Sequence, residues 1–198
     1  MRFTILPLFF LASKVLCDGQ AIVDAISEIS NTTTSLNQTV SSVCLLFILA
    51  LPTMIVSHRS IQLTLFIFPP QWSGSLLTSF PIVTLSAKLL IDINTGTWVA
   101  SSSANLTLIE TITIATATQN LVTVVEETLD TIVSAKPKFD KLLFSPLILL
   151  NLVEEQSATD KFSAKIIEKI PAAFQETART IVAPVDTAFD AAIADYKL

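Results

Sequence analysis

The chain has only three glycines in 198 residues, Gly19, Gly74 and Gly96, and that scarcity restricts its fold more than any other feature. Tight hairpins draw on residues that accept positive φ, glycine above all, so a meander or barrel of short strands lacks its turn chemistry here. Helices joined by short loops need far fewer such positions, and the apolar spacing agrees with them. Leu108, Ile112, Ala115, Val122, Val125, Leu129 and Ile132 fall mostly three, four or seven apart, one face of a helix. Thr and Val are frequent in this stretch and favour strands by propensity, but the period is near 3.6 rather than alternating. Thr107 followed by Glu110 reads as a capping box at its start, and Lys136-Pro137 as its stop.

The same grammar recurs on both sides. Ser145-Pro146 reads as an N-cap with proline in the first helical position, opening a helix that can run to Ile170, with Phe162, Ile166 and Ile170 on one side and Pro171 as the stop. Beyond Pro171, the residues Phe174, Ala178, Ile181, Val185, Phe189, Ala192 and Tyr196 recur at three- and four-residue steps, with Pro184 as a break or kink. Another helix is expected between Pro81 and Ser102, carrying Val83, Ala87, Leu90 and Trp98. Near the N-terminus, Ile22, Ile26, Ile29, Leu36 and Val40 keep the rhythm, with Thr33 among them. The expected fold class is all-α, an antiparallel helical bundle in a single domain.

The rhythm breaks from Val43 to Gln71. This stretch is apolar and β-branched, has Pro52, Pro69 and Pro70 in or near it, and contains one charge, Arg59, beside the only histidine, His58. Excising it joins Ser42 to Trp72, and Val40, Trp72 and Leu76 then continue one helical face. The segment reads as an insertion into the first helix, plausibly a translated retained intron. A membrane span is the rival reading, but Val43 to Val56 falls short of the ~17–25 residues that spanning needs. Extension to Phe68 would bury His58, Arg59 and Gln62 in hydrocarbon.

The start of the chain bears on compartment. Met1-Arg2, an apolar stretch from Phe3 to Ala12 and the Val15-Leu16-Cys17 boundary read as a signal peptide over residues 1–17, leaving 18–198 as the domain. The expected location is secreted or extracellular, in the cell wall or free of it. Removing Arg2 and Lys14 moves the formal charge from -5 to -7, since every Asp and Glu lies from Asp18 onward. An acidic chain without a basic cluster is a poor partner for nucleic acid. Two cysteines, one of them Cys17, exclude a disulfide framework and with it the hydrophobin class. Three sequons, at Asn31, Asn37 and Asn105, fit a secreted glycoprotein.

Catalytic chemistry is hard to assemble from these residues. A Ser-His-Asp triad needs a histidine base, and His58 sits in the anomalous segment; no Gly-x-Ser-x-Gly elbow is present. One histidine and one mature cysteine cannot form the usual zinc sets, and scattered glycines make no phosphate loop. Glu126-Glu127 and Glu154-Glu155 read as solvated helix faces, because neighbours on a helix diverge by ~100° and cannot both address one substrate. Trp72, Trp98 and Phe139 read as core anchors. The chain is expected to be non-enzymatic, with no cofactor and no metal.

Several runs resemble the fungal hydrophobic surface-binding protein A family, also described as cell-wall galactomannoproteins. They are Trp72-Ser-Gly-Ser-Leu-Leu, the stretch from Ile132 through Lys136-Pro137-Lys138-Phe139, Ser145-Pro-Leu-Ile-Leu-Leu150, Ser157 to Ala164, and Ala183 to Ala194. Ala21 to Val40 suits the family's N-terminal helix, whereas Val43 to Gln71 has no place in the pattern. The resemblance implies a small secreted or wall-associated helical protein that adsorbs to hydrophobic surfaces through amphipathic helices and helps recruit secreted hydrolases. The alternatives are a bundle that encloses a fatty acid, as related mannoprotein domains do, and a structural wall mannoprotein with no specific ligand; cell-wall polysaccharide is a further candidate partner. No short functional motif comes with it, so no ligand residue is carried over.

Overall fold

The computed structural model describes residues 18–50 and 76–197, with side chains described for 19–42 and 81–197. Among the described residues there are five helices: α1 Asp18–Ala50, α2 Leu76–Ser102, α3 Leu108–Lys141, α4 Ser145–Lys169 and α5 Gln175–Lys197, the last entered through a 3-10 turn, Ala172–Phe174. No strand occurs among the described residues. α1 packs on α2 and α3, α2 also on α4, α4 on α5, and α5 back on α3, so the helices close a ring around one apolar core.

Named contacts set the directions. The Gly19 N–H donates to Glu110 Oε1 (3.3 Å), which brings the starts of α1 and α3 together, and Val40 and Phe139 share a small void further along. Val40 and Ile82 line one void while the Thr32 hydroxyl donates to Asp92, so α2 runs against α1. The Ser86 hydroxyl bonds Glu155 while Gly96 abuts Phe162, which makes α2 and α4 parallel. The Gln156 side chain donates to Asp190 (2.8 Å) while Glu168 and Gln175 line one groove, so α5 runs against α4. Consecutive helices therefore alternate in direction, as expected of an antiparallel bundle, yet the packed pairs α1–α3, α2–α4 and α3–α5 run parallel.

Most inward faces are those read from the spacing. Ile22, Ile26, Ile29, Thr33, Leu36 and Val40 of α1 are all buried, as are Phe162, Ile166 and Ile170. The capping box at Thr107 forms in both directions: the Thr107 N–H donates to Glu110 Oε2 (2.8 Å) and the Glu110 N–H to Thr107 Oγ1 (3.3 Å). Pro184 lies inside α5 without ending it, and Pro171 separates α4 from α5.

Four expectations fail for physical reasons. Lys136-Pro137 does not stop α3, which continues to Lys141. Proline removes one backbone donor, but Pro137 is exposed and Phe139 beyond it is 2% exposed, so burial of that ring holds the last turn helical. Ser145 is not the N-cap of α4; Phe144 takes that position and the Ser145 hydroxyl bonds Asp140 instead. In α2, which starts at Leu76 and contains Pro81, the buried stripe is Ile82, Ser86, Leu89, Ile93, Gly96 and Ala100, not Val83, Ala87, Leu90 and Trp98. That helix is apolar on most sides, so its period offers adjacent stripes and only its neighbours choose between them. Trp98 is accordingly 70% exposed and anchors no core.

The segment 43–71 falls largely outside the described residues; α1 itself extends through Val43 to Ala50. Trp72 and residues 1–17, the expected signal peptide, also lie outside them. Between α3 and α4 the chain turns through Leu143, whose φ of 60° is the left-handed conformation that glycine accepts most readily. The Phe144 N–H donates to the Phe139 carbonyl (2.9 Å) and the Leu143 N–H to that of Asp140 (3.1 Å), which satisfies the end of α3.

Candidate ligand cavity

The bundle is filled unevenly. Where α3 and α5 begin and α4 finishes, the facing positions carry short side chains, Ala115 and Thr118 on α3, Ser163 on α4, Thr177 and Ala178 on α5, and the ring encloses a cavity of about 210 Å3. Longer apolar residues complete its wall: Ile26, Val122, Phe162, Ile166, Ile181 and Val185. Leu108, Ile112 and Phe174 also line it while remaining 51%, 59% and 41% exposed, so they form an apolar mouth, with Ile109 (77% exposed) beside them. Leu108 and Ile112 belong to the stripe expected in the core. The stripe is real, but its first turns face a space rather than a neighbouring side chain.

Two smaller voids adjoin the cavity. Leu121, Val125, Thr159 and Phe162 line both it and a void of about 40 Å3, and Leu36, Ile132 and Glu155 are shared in turn by that void and a last one of about 10 Å3 near Phe139. Phe162 stands in the wall between the first two. Its ring fits against α2 because Gly96 has no side chain: a Cβ there would stand 2.9 Å from the ring edge.

Glu155 lines both smaller voids. The Glu154-Glu155 pair, expected to be a solvated face, is split by the fold: Glu154 is exposed and Glu155 is 4% exposed. Burial pushes the Glu155 carboxyl up to about 7, the charge of Glu154 adds to that, and the hydrogen bond from Ser86 opposes it. One clue was present in the sequence. Glu155 sits three residues after Leu152 and seven before Phe162, on the buried stripe of α4. Charge adjacency outweighed that register.

Other titratable groups are peripheral. Glu110 is held below the usual carboxylate range by the Thr107 hydroxyl and backbone and by Gly19. On the outer seam of α4 and α5, burial raises Asp186, with Asp160 adding to the shift, beside a more open and more polar groove of about 670 Å3 that includes Arg179. Among the described residues no three His, Cys, Asp or Glu side chains gather as a metal site. Of the sequons, Asn31 on α1 and Asn105 in the α2–α3 loop are exposed, whereas Asn37 is half-buried with its Oδ1 enclosed and unpaired.

A ring of five helices around an apolar cavity can be compared with known proteins. Residues 70–168 match the family described as hydrophobic surface binding protein A. The chain belongs to this family. It is also 27% identical over 112 residues to cell wall mannoprotein 1 of Aspergillus flavus, a match covering 57% of this chain and 41% of that relative, so the chain corresponds to less than half of the longer protein. Among solved structures it resembles Afmp4p in complex with palmitic acid, with a TM-score of 0.71 at 22% identity over 90% of this chain and 99% of that one. It also resembles ligand binding domain 1 of the Penicillium marneffei MP1 protein complexed with arachidonic acids, with a TM-score of 0.72 at 13% identity over 91% and 99% of the two chains. At these identities the likeness is one of fold.

Proposed function

We propose that the protein is a secreted, non-catalytic binder of long-chain lipid, which it holds inside the helical ring and exchanges through the mouth between α3 and α5. The observation that carries this reading is the apolar cavity under a rim of exposed Leu108, Ile112 and Phe174. At about 210 Å3 the cavity is smaller than the ~300–1,000 Å3 of a typical small-molecule site, but narrow voids of about 40 and 10 Å3 adjoin it across shared wall residues. That slender shape suits an acyl chain rather than a ring system. Transfer of each methylene from water into such a wall contributes about 0.8 kcal/mol, so chain length sets affinity. The neighbours named as complexes with palmitic and arachidonic acids support the same class of ligand.

Adsorption to hydrophobic surfaces, the property in the family's name, is the second reading, and the exposed Ile109 and Ile112 beside the mouth favour it. The two are compatible, since a rim that seats on an apolar surface also places the cavity against it. Recruitment of hydrolases and attachment to wall polysaccharide draw no support from the cavity. Secretion rests on the leader at residues 1–17, on exposed Asn31 and Asn105 as sites for glycans, and on the relative's name as a cell wall protein.

The test is extraction and refilling. The protein freed of lipid is expected to take up palmitic acid at about one molecule per chain, and Ala115→Trp, which fills the void from α3, is expected to abolish uptake with its helical circular dichroism intact. A lipid-free protein that stays empty in the presence of palmitic acid would overturn the reading.

A further inference from the structure

Beyond the inner wall of the cavity lies a group that an acyl-chain site does not need. Glu155 lines both inner voids, is 4% exposed, and receives one hydrogen bond, from the Ser86 hydroxyl to Oε1. Among the residues around it are Thr33 and Leu36 of α1, Thr128 and Ile132 of α3, Phe189 of α5 and Asn151 of its own helix, in addition to Ser86 of α2. None of these titrates, and the hydroxyls of Thr33 and Thr128 already bond carbonyls of their own helices at 2.7 Å. Glu154 on its own helix is the one charged group acting on it. A methyl end brought against this carboxyl would leave a buried polar group short of partners, which is costly.

We propose that Glu155 and Ser86 form the polar terminus of the site and receive the carboxyl or hydroxyl end of a long-chain acid or alcohol that enters head first. This rests on reading the cavity as an acyl-chain site and specifies its polarity. The methyl end then lies at the mouth, where Leu108, Ile112 and Phe174 are apolar and no Lys or Arg lines the wall. The distance fits. From Ile170, in the cavity wall at the end of α4, to Glu155 is fifteen residues, about 22 Å at 1.5 Å per residue. An extended sixteen-carbon chain measures roughly 20 Å, at about 1.3 Å along the axis per methylene.

The chemistry of the pair separates acids from alcohols. Two carboxylates in contact cannot both be ionised, so a bound acid and Glu155 share one proton in a single O–H···O bond. Above the pH at which empty Glu155 ionises, binding an acid must take that proton from solvent, and affinity falls about tenfold per pH unit. An alcohol donates its own O–H to the carboxylate and takes up none. Glu155→Gln replaces the acid with an amide that donates to a ligand carboxylate at any pH.

Equilibrium dialysis of the purified protein with hexadecanoic acid and with 1-hexadecanol, between about pH 6 and about pH 9, reads the difference. The wild type is expected to lose acid affinity above about pH 7 while alcohol affinity holds. Glu155→Gln is expected to lose the pH dependence and to bind the acid more tightly than wild type at about pH 9, roughly a hundredfold. Retained binding of the alcohol reports that the variant is folded. Acid binding that is flat with pH and equal in the two proteins would overturn the inference and leave the acyl-chain reading standing, with the head at the mouth. Failure of either ligand to bind wild type at any pH would overturn both.

Discussion

The two halves of α3 carry apolar stripes of similar length and use them differently. From Val122 to Phe139 the stripe is buried: Leu129, Ile132, Ala135 and Phe139 are 1–6% exposed, against Leu36 and Val40 of α1 and the end of α5, where the Tyr196 hydroxyl donates to the Ile132 carbonyl at 2.8 Å. From Leu108 to Thr118 only Thr111 and Ile114 are buried, and Leu108, Ile112 and Ala115 face the cavity and its mouth. The amphipathic pattern is the same in both halves. What differs is the size of what faces it, Phe189, Ile193 and Tyr196 on the C-terminal half of α5 against Thr177 and Ala178 on its first turns. Space in a helical ring is therefore set by the partner helix as much as by the stripe.

The largest expected effect tests that contrast directly. Phe139→Ala at the packed end should cost about 3–5 kcal/mol of unfolding free energy, because a fully buried ring leaves a cavity that its neighbours cannot refill. Phe174→Ala, 41% exposed at the mouth, should cost less than about 1 kcal/mol and instead weaken uptake of palmitic acid. Urea unfolding of the two variants gives the comparison, and equal losses would mean that the two ends are packed alike.

Next comes the pH dependence of stability. Folding raises the Glu155 carboxyl from 4.5 to about 7, so the folded chain holds a proton that the unfolded chain has released across that interval. Stability should therefore fall as pH rises from about 4.5 to about 7 and level off above, by about 3 kcal/mol. Asp186, raised by burial and Asp160, contributes with the same sign but less, being exposed. Glu110, Asp140 and Glu168 are lowered, and their contributions are lost only at pH below this window. Urea midpoints for wild type and Glu155→Gln should diverge toward neutral pH; parallel curves would place Glu155 in water.

The smallest expected change in stability is at Gly96, against the Phe162 ring that the cavity and the next void share. Alanine is favoured over glycine inside a helix by about 1 kcal/mol, but at Gly96 a Cβ would meet the Phe162 ring at 2.9 Å and push it toward the voids. Gly96→Ala should thus leave the unfolding midpoint nearly unchanged, within about 1 kcal/mol, while reducing palmitic acid uptake severalfold. Unimpaired uptake would show that the ring yields toward α2 rather than toward the voids.

Much of the fold was legible residue by residue. The capping box at Thr107 and Glu110, the stop at Pro171 and the α1 face from Ile22 to Val40 appear where the spacing put them, since each depends on neighbours within a turn or two. Errors arose where a distant contact decided the outcome. Pro137 is carried within α3 by burial of Phe139, and the stripe of α2 was ambiguous by one residue because most of its faces are apolar. The candidate site was less legible still. Leu108, Ile112, Phe174, Ala178 and Ile181 were all recognised as inward-facing, but a stripe that lines a void has the same period as one that fills a core.

By itself, the sequence determined an all-helical bundle, its capping and most of its proline punctuation, and the membership of most core residues, because hydrophobic period and turn chemistry act over a few residues. Only the tertiary structure decided which helices are neighbours around the ring and that their short side chains coincide at one end to leave a cavity. It also decided that Glu154 meets water while Glu155 is enclosed beside Ser86. Volume and burial are properties of surfaces brought together from α1 through α5, so no local pattern in one helix can encode them.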